Sequence, residues 1–464
     1  MASADLHVVI LAAGKGTRMK SALPKVLHRA GGLPLIEWVV RLARSLGPRS
    51  ITAVLGHGAD DVRAQFAGVD DVRFVRQEPQ LGTGHALLQT KTLLSGQSGR
   101  VLLLSGDVPL LTRTSVVELL DAQAATDAAV VVATARVADP SGYGRIVREG
   151  GRLARIVEHR DARDEQRAID EINSGVYVFA LAPLFAALGR VGSANAQGEY
   201  YLPDLVGIYR GDGLAVDAVV VADPDEIRGI NTKAELAEVG RLLQARINHL
   251  LMADGVTLVD PATAYIGPDV VIGHDSVIHP FVCLDGATSF GANCEVHAGV
   301  RVVDCVIGDN VKILNHSVLT NSRIGSGADI GPFARLRPDS VVGDRVHIGN
   351  FVEIKKSELG ADTKIGHLSY IGDAVVGAGV NIGAGTITCN YDGHTKHQTV
   401  IRDGAFVGSD STLVAPVTVG ADAYVAAGSS ITMDVPDGGL GIARSRQTNI
   451  PGWVAQRNAK RQSR

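Results

Sequence analysis

Ile324-Gly-Ser-Gly-Ala328-Asp-Ile330-Gly-Pro-Phe-Ala334-Arg-Leu336-Arg-Pro-Asp-Ser340-Val-Val342-Gly-Asp-Arg-Val346-His-Ile348-Gly-Asn-Phe-Val352-Glu-Ile354 places an aliphatic side chain at every sixth position. Four residues after each of the first five stands a smaller one: Ala328, Ala334, Ser340, Val346 and Val352. An α-helix needs apolar residues at steps of three and four, and a lone half-buried strand needs steps of two. A period of six belongs to a parallel β-helix, in which each hexapeptide supplies one short strand and one corner. The aliphatic residue points inward. Gly or Asn is expected at the corner, where φ > 0 is cheap only for them. Working outward, Ile266, Ile272, Ile278, Leu284, Phe290 and Val296 hold the same interval before this stretch. Val407, Leu413, Val419, Val425 and Ile431 hold it after.

The whole chain has 464 residues, too many for one ordinary core. At about 150 residues per unit, roughly three units are expected. Hydrophobic content of 45% and charged content of 20% are globular values. A net charge of −4 gives no global basic field for nucleic acid. The short basic run Arg457-Asn-Ala-Lys460-Arg461 reads as a solvated tail. The 54 glycines and the 4% aromatic content suit a scaffold with many corners and a narrow interior. Cys283, Cys294, Cys305 and Cys389 form no CxxC, so reduced thiols are expected, with Cys294 buried on the ladder. Neither a secretory leader nor a membrane-length apolar run is apparent. A soluble cytoplasmic protein is the expectation.

The N-terminal half reads differently. Val8-Val-Ile-Leu-Ala-Ala13 is a continuous apolar run, as in a strand buried on both faces of a parallel sheet. It empties into Gly14-Lys-Gly-Thr-Arg-Met19. Such a turn presents backbone N–H groups that can cradle phosphates, and Lys15, Arg18 and Lys25 add cations suited to a triphosphate. It is neither a Walker loop nor a dinucleotide fingerprint, because no Gly-Lys-Ser/Thr closes it and Met19 stands where the third Gly would be. The alternative is a plain solvated basic turn. Ile51–Leu55 and Val101–Leu104 read as further strands. The second delivers Ser105-Gly-Asp107 at its C-terminal end, where open α/β sheets bind ligands. Asp107 is either a helix cap or a Mg²⁺ ligand. Gln77-Glu-Pro-Gln80-Leu-Gly-Thr-Gly-His-Ala86 offers amides that can read a base edge. Gly142-Tyr-Gly144-Arg145, Val157-Glu158-His159, Ile172-Asn173-Ser-Gly175 and Asn195-Ala-Gln-Gly-Glu-Tyr200-Tyr201 offer neutral hydrogen-bonding groups of the kind a sugar needs.

Asn231-Thr232-Lys-Ala-Glu235 opens a helix with capping-box spacing. Leu236, Val239, Leu243, Ile247 and Leu250 form its apolar stripe, and Gly255 stops it. The expected organisation is a nucleotide-binding α/β domain over 1–233, a helical linker over 234–254 and a β-helix over 255–464.

Leu11-Ala-Ala-Gly-Lys-Gly-Thr-Arg-Met19 with Leu23-Pro-Lys-Val-Leu27 resembles the signature of nucleoside-diphosphate-sugar pyrophosphorylases. Joined to Gln80–Ala86, Gly142–Arg145, Asn195–Tyr201 and the hexapeptide ladder, it resembles one family over nearly the whole chain. That family is the bacterial bifunctional N-acetylglucosamine-1-phosphate uridyltransferase / glucosamine-1-phosphate N-acetyltransferase, whose UDP-N-acetylglucosamine serves cell-wall and lipid A synthesis. The resemblance implies a Rossmann-like α/β nucleotidyltransferase domain followed by a left-handed parallel β-helix, an exception to the right-handed crossover rule. It implies that UTP and N-acetylglucosamine 1-phosphate give UDP-N-acetylglucosamine and pyrophosphate in the first half. Leu11, Ala12, Ala13, Gly14, Gln77, Gly82 and Thr83 would hold the uridine. Arg18 and Lys25 would hold phosphates and the transition-state charge. Asp107 and Asn231 would ligate Mg²⁺. Ser105 and Gly106 would border the nucleotide, and Gly144, Glu158 and Asn173 would contact the sugar. Ser105 departs from those members that carry Tyr before Gly-Asp, which leaves a ring contact to the sugar in question.

In the second half the residues that break the period matter most. They lie in Arg335-Leu-Arg337-Pro, Asn350-Phe-Val-Glu-Ile-Lys355-Lys356, Gly366-His367-Leu-Ser-Tyr370 and Asn381-Ile-Gly-Ala384. The aperiodic segment Cys389-Asn390-Tyr391-Asp-Gly-His-Thr-Lys-His397-Gln reads as a loop thrown out from the scaffold. The resemblance makes His367 the general base that takes a proton from the amine of glucosamine 1-phosphate as it attacks acetyl-CoA. Arg337 and Lys355 would clamp the sugar phosphate. Tyr370, Asn381, Asn390 and Tyr391 would orient sugar and acetyl group, and Ala384, Ser409, Ala427 and Arg444 would line the acetyl-CoA site beside Asn390 and Tyr391. A homotrimer is implied. His85 and His159 are expected to bond locally, and His394 and His397 to be solvated. Two other readings remain open: a pyrophosphorylase of different specificity with an inert β-helix, and a non-catalytic relative.

Overall fold

The computed structural model describes residues 5–462. The chain forms two compact units, Met1–Gln244 and Ala245–Arg464.

In the first unit the apolar runs become a nine-stranded sheet. Its main path runs 216–220, 130–136, 171–180, 100–105, 6–12, 50–55, 72–76. Strand Leu6–Ala12 pairs in parallel with Ser50–Leu55 and Arg100–Ser105, and Ser50–Leu55 pairs in parallel with Val72–Arg76. These four strands therefore end on one edge, and each delivers a loop there: Gly14–Arg18, Gly56–Gly58, Gln77–Gly82 and Asp107 onward. Burial on both faces explains the apolar runs of the three inner strands, whereas Val72–Arg76, at the end of the path, carries Arg73 and Arg76 and is buried only at Val72. The sheet is mixed rather than all parallel. Strand Glu171–Ala180 runs antiparallel between Arg100–Ser105 and Val130–Arg136, with a register shift between Asn173 and Tyr177. Asn173 still pairs with Thr134, and the irregularity follows it over residues 174–176. The hairpin Arg145–Glu149/Arg152–Val157 hangs off the same strand.

The second unit is a left-handed parallel β-helix of three sheets with 11, 10 and 9 strands. Among the described residues the strands of these sheets pair in parallel, as in Ile330↔Ile348, Ile348↔Ile365 and Ile365↔Ile382. The inward ladder from Ile324 to Ile354 is buried throughout, as are the smaller residues between, and Cys294 and Cys305 join the same core. The corners differ from expectation. Asp275, Asn293 and Asn310 hold φ > 0 as anticipated, but so do Phe281, His316, Phe333, Phe351 and Leu368. A left-handed conformation costs such side chains about 1–2 kcal/mol each. Stacking offsets part of this. His316 lies over Phe333 at 5.1 Å and Phe333 over Phe351 at 5.3 Å, contacts that contribute about 0.5–1.5 kcal/mol apiece.

The helix Lys233–Ala253 opens on the expected capping box. Glu235 Oε2 accepts from the Asn231 and Thr232 amides at 2.6 and 2.8 Å, and Thr232 Oγ1 accepts from the Glu235 amide. Val239 and Leu243 pack in the first unit with Met19, Leu35 and Ile230, and Ile247 packs on the β-helix core in the second. Leu250 does not join the stripe. It is 64% exposed, and Leu251 packs instead. Four-residue steps from 239 through 243 and 247 reach 251, whereas 250 lies about 100° away on the helix.

Truncating the ladder should unseat a coil. Ile348→Ala is expected to lower the stability of the β-helix by about 2–5 kcal/mol, read from urea unfolding followed by far-UV circular dichroism.

Candidate active sites

The loops at the parallel edge enclose a cavity of about 550 Å³. It is lined by Leu11, Ala12, Ala13, Gly14, Arg18, Lys25, Gln77, Gly82, Thr83, Ser105, Asp107 and Asn231, all of them sequence-predicted. Gly16 holds φ 59°, and a Cβ there would lie 2.7 Å from Lys25 Cβ, so the glycine lets Lys25 reach inward. The Lys25 ammonium bonds the Asp107 carboxylate and reaches Asn231 Oδ1 at 3.2 Å. Two hard oxygens from distant parts of the chain thus converge on one cationic position. Gln77 is 4% exposed. It directs its Nε2 at Gly82 O, 3.0 Å, and His85 Nδ1, 3.2 Å, which leaves Oε1 for the cavity. Sequence reasoning offered Gln80 as an amide for a base edge, but its Nε2 donates to Ala13 O at 2.9 Å and ties two loops together. It also assigned no role to Gly16, Thr17 or Glu199, which line the cavity too.

Four predicted residues lie off this lining. Gly106 is tucked against the first strand, its N–H donating to Leu11 O at 2.9 Å. Gly144, Glu158 and Asn173 cluster apart. A Cβ on Gly144 would stand 3.3 Å from Glu158 Oε1 and 3.4 Å from Asn173 Cβ. Asn173 Oδ1 accepts from Tyr177 OH at 2.9 Å. Glu158 opens on a second cavity of about 350 Å³, with Asp161, Asn195, Tyr201 and Asp204. Burial, aided by Asp161, Asp204 and Glu199, pushes the Glu158 carboxyl above the usual range.

In the second unit, strand register does the positioning. Asn350 pairs with His367 across adjacent coils. His367 Nδ1 donates to Asn350 Oδ1 at 2.6 Å, which leaves Nε2 free to accept a proton. Sequence reasoning assigned no role to Asn350; a 17-residue offset to His367 in the coil register is the signal that could have found it. The Leu368 amide donates to Asn350 O, Asp410 to Ala384 O and Gly428 to Ser409 O. Arg444 Nη1 donates to Ala427 O at 2.8 Å. Asn350, His367, Ala384, Ser409 and Ala427 each precede a φ > 0 corner residue, at Phe351, Leu368, Gly385, Asp410 and Gly428. They form one row along an edge. Bulky corner side chains beside Asn350 and His367 give way to Gly and Asp beside the other three.

Across that edge, Arg337 Nη1 meets Glu353 Oε1 at 3.0 Å, and Asn390 Nδ2 contacts Tyr370 OH at 3.4 Å and the Asp373 carboxylate. Asn381 pairs with Lys364 on the strand before the row's Ala384. The ejected segment is an ordered hairpin, with Tyr391 bridged to Lys396. Lys396 approaches Lys355, whose proximity lowers the Lys396 pKa. His397 is not simply solvated. Its Nε2 lies 2.8 Å from Asp392 Oδ2, and hydrogen bonds from Thr395, His397 and His394 hold the Asp392 carboxyl well below its usual range. His394 is exposed, while His85 and His159 bond locally to Gln77 and Arg145.

A phosphate-cradling α/β sheet joined to a hexapeptide β-helix defines a sugar-nucleotide transferase with a second, acyltransferase-like half. Residues 8–193 match the MobA-like NTP transferase domain, and 268–349 match the GMPPB C-terminal domain. The chain is 52% identical over 450 residues to the bifunctional protein GlmU of Trichlorobacter lovleyi, covering 97% of this chain and 98% of that one. It is 49% identical to that of Pelobacter propionicus, with the same coverage, and 48% identical to that of Brevibacillus brevis over 99% of both. The chain belongs to the bifunctional GlmU family.

Glu158 yields a test of site against fold. Because its folded pKa is raised, stability falls as pH climbs from the unfolded carboxylate value towards the folded one, and the penalty persists above both. Glu158→Gln removes it. The variant should unfold at higher temperature than the parent at pH 7, with the gap closing below about pH 4.3, while its KM for the sugar phosphate rises. Paired thermal melts and pyrophosphate-release kinetics check both halves.

Proposed function

We infer that the first unit carries the uridylyl transfer and the second the acetyl transfer of this bifunctional enzyme. As a family member the protein makes UDP-N-acetylglucosamine: acetyl-CoA acetylates glucosamine 1-phosphate, and UTP then uridylylates N-acetylglucosamine 1-phosphate with release of pyrophosphate. The observation that carries the first assignment is the convergence of Lys25, Asp107 and Asn231 inside a cavity rimmed by Gly14–Arg18. The sugar phosphate is already an anionic nucleophile, so in-line attack on the α-phosphorus needs positioning and charge neutralisation rather than a strong base. Arg18 and Lys25 supply cations, Gln77 Oε1 and the Gly82–Thr83 backbone meet the uracil edge, and Gly144, Glu158 and Asn173 take the sugar hydroxyls. The donor set fits Mg²⁺, which favours one or two protein oxygens. Asp107 and Asn231 would hold it, and when bound it would neutralise phosphate charge.

For acetyl transfer, His367 takes the amine proton at Nε2 while Asn350 holds Nδ1–H. The pairing of Lys355 with Lys396 is unfavourable between two ammonium groups and favours an anion beside them, as a sugar phosphate would be. Arg337 adds a planar fork. Tyr370, Asn381, Asn390 and Tyr391 orient sugar and acetyl group. The row Ala384, Ser409, Ala427 with Arg444 receives acetyl-CoA where the corner side chains are smallest. We place the enzyme in the cytoplasm with its substrates; no helix among the described residues is long and apolar enough to cross a membrane. A homotrimer is supported by the exposed apolar corner Phe333, Phe351 and Leu368 beside His367, which a neighbouring copy would cover.

Asp107→Asn should abolish pyrophosphate release and leave CoA release intact. His367→Ala should slow CoA release about 10²–10⁴-fold and spare pyrophosphate release. Loss of both activities in either folded variant would defeat the two-site assignment. Absence of CoA release from the parent protein would favour a pyrophosphorylase with an inert β-helix.

A further inference from the structure

The second and third coils of the β-helix carry a cluster that neither activity uses. His279, Glu295 and His297 bring two imidazole nitrogens and a carboxylate oxygen within 4.8 Å of one another. The period of two explains the convergence. Glu295 and His297 flank the inward Val296, so both point outward, and Ile278↔Val296 pairing sets His279 over His297 one coil away. The backbone is fixed by the ladder: the His279 amide donates to Val296 O at 2.9 Å and the His297 amide to Ile313 O at 2.8 Å.

We propose that His279, Glu295 and His297 form a binding site for a divalent transition metal of the Zn²⁺ class, separate from the Mg²⁺ chemistry of nucleotide transfer. Two imidazoles and one carboxylate are a borderline N/O donor set that such ions take with a further position open to water. The distances suit it. With metal–ligand bonds of about 2.0–2.2 Å, the edge of a tetrahedral site is roughly 3.3–3.5 Å. Glu295 Oε1 stands 3.1 Å from His297 Nε2 and 3.6 Å from His279 Nε2. His279 Nε2 is buried and has no hydrogen-bond partner, which leaves a lone pair or proton aimed into the cluster unsatisfied. The other carboxylate oxygen, Oε2, is held by the Lys312 ammonium at 3.5 Å. That contact leaves Oε1 to act as a single-atom ligand, as outer partners do in metal sites. The rings now stack, with centroids 4.7 Å apart and planes at 16°. Closing on one ion requires them to tilt about χ2, a soft terminal torsion. The bound ion would staple adjacent coils at the N-terminal end of the scaffold.

Co²⁺ added to the chelator-stripped, untagged full-length protein tests this. The intense visible bands of four-coordinate Co²⁺ should appear and saturate at one ion per chain. They should persist in Asp107→Asn and vanish in His279→Asn/His297→Asn, with Glu295→Gln weakening the affinity at least tenfold. Zn²⁺ should displace the bands and raise the unfolding temperature of the parent but not of the double variant. Far-UV circular dichroism and unaltered CoA release, which reads the β-helix unit itself, certify that the variants fold. Absence of four-coordinate bands in the parent, or equal bands in the folded double variant, overturns the site.

Discussion

Everything in the second unit depends on the in-register stacking of coils. Each strand is too short to hold its own conformation, so backbone hydrogen bonds to the coils above and below and the shared aliphatic column stabilise it together. A shift of one residue would turn Ile348 or Ile365 outward and bring polar neighbours into a dry interior. The same ladder that fixes Ile348 against Ile365 fixes Asn350 against His367 two residues later. The imidazole assigned as the base in our proposal is therefore oriented by the fold's main cohesive interaction. A rigid scaffold leaves little freedom to remove when substrate binds, which is how a single His with one hydrogen-bonded partner becomes an effective base.

The first unit solves positioning by a different device. Parallel strands cannot be joined by tight hairpins, so their loops gather at one edge and are free to carry chemistry. Lys25, Asp107 and Asn231 come from three separate connections and meet because those connections share that edge. Gly16 and Gly82 are required there, since a side chain at Gly16 would strike Lys25 and one at Gly82 would come within 2.7 Å of Tyr200 O. Gln80 to Ala13 then fixes the distance between the phosphate-facing and base-facing loops.

The inward ladder and most residues lining the first unit's cavity were legible in the sequence, because period and motif are local properties. What was illegible is set by tertiary geometry. The antiparallel direction of Glu171–Ala180 has no local signal, since a buried central strand reads the same either way. Only the hairpin packed on that strand brings Gly144, Glu158 and Asn173 together, with Glu158 alone of the three facing the second cavity. The corners at Phe333 and Phe351 broke the Gly/Asn rule because stacking between coils, a contact across 17 or 18 residues, offsets local strain. Leu251 replaced Leu250 for a similar reason: both fit a helical stripe, and only the partner surface decides. Asn350 looked like one more corner polar residue until register set it against His367.

Both units also hold electrostatic stress where substrates are assigned. Glu158 is buried among Asp161, Asp204 and Glu199, and its carboxyl is pushed up. Lys355 and Lys396 approach each other with like charge. Neither arrangement helps the fold: the first desolvates a carboxylate and the second sets cation against cation. On the proposed assignment, each becomes favourable once its partner arrives, a hydroxyl-rich sugar donating to Glu158 and a phosphate dianion between the two ammonium groups. The free energy withheld from folding then appears in binding, so affinity need not come from a large buried area. The contrast with Lys25 and Asp107 is instructive. There the opposite charges already satisfy each other, and binding must exchange one cationic contact for another instead of relieving a repulsion. On the proposed assignment, the Lys25–Asp107 pair is the one already satisfied without substrate, and Glu158 and the Lys355–Lys396 pair mark the sites that tighten on occupancy.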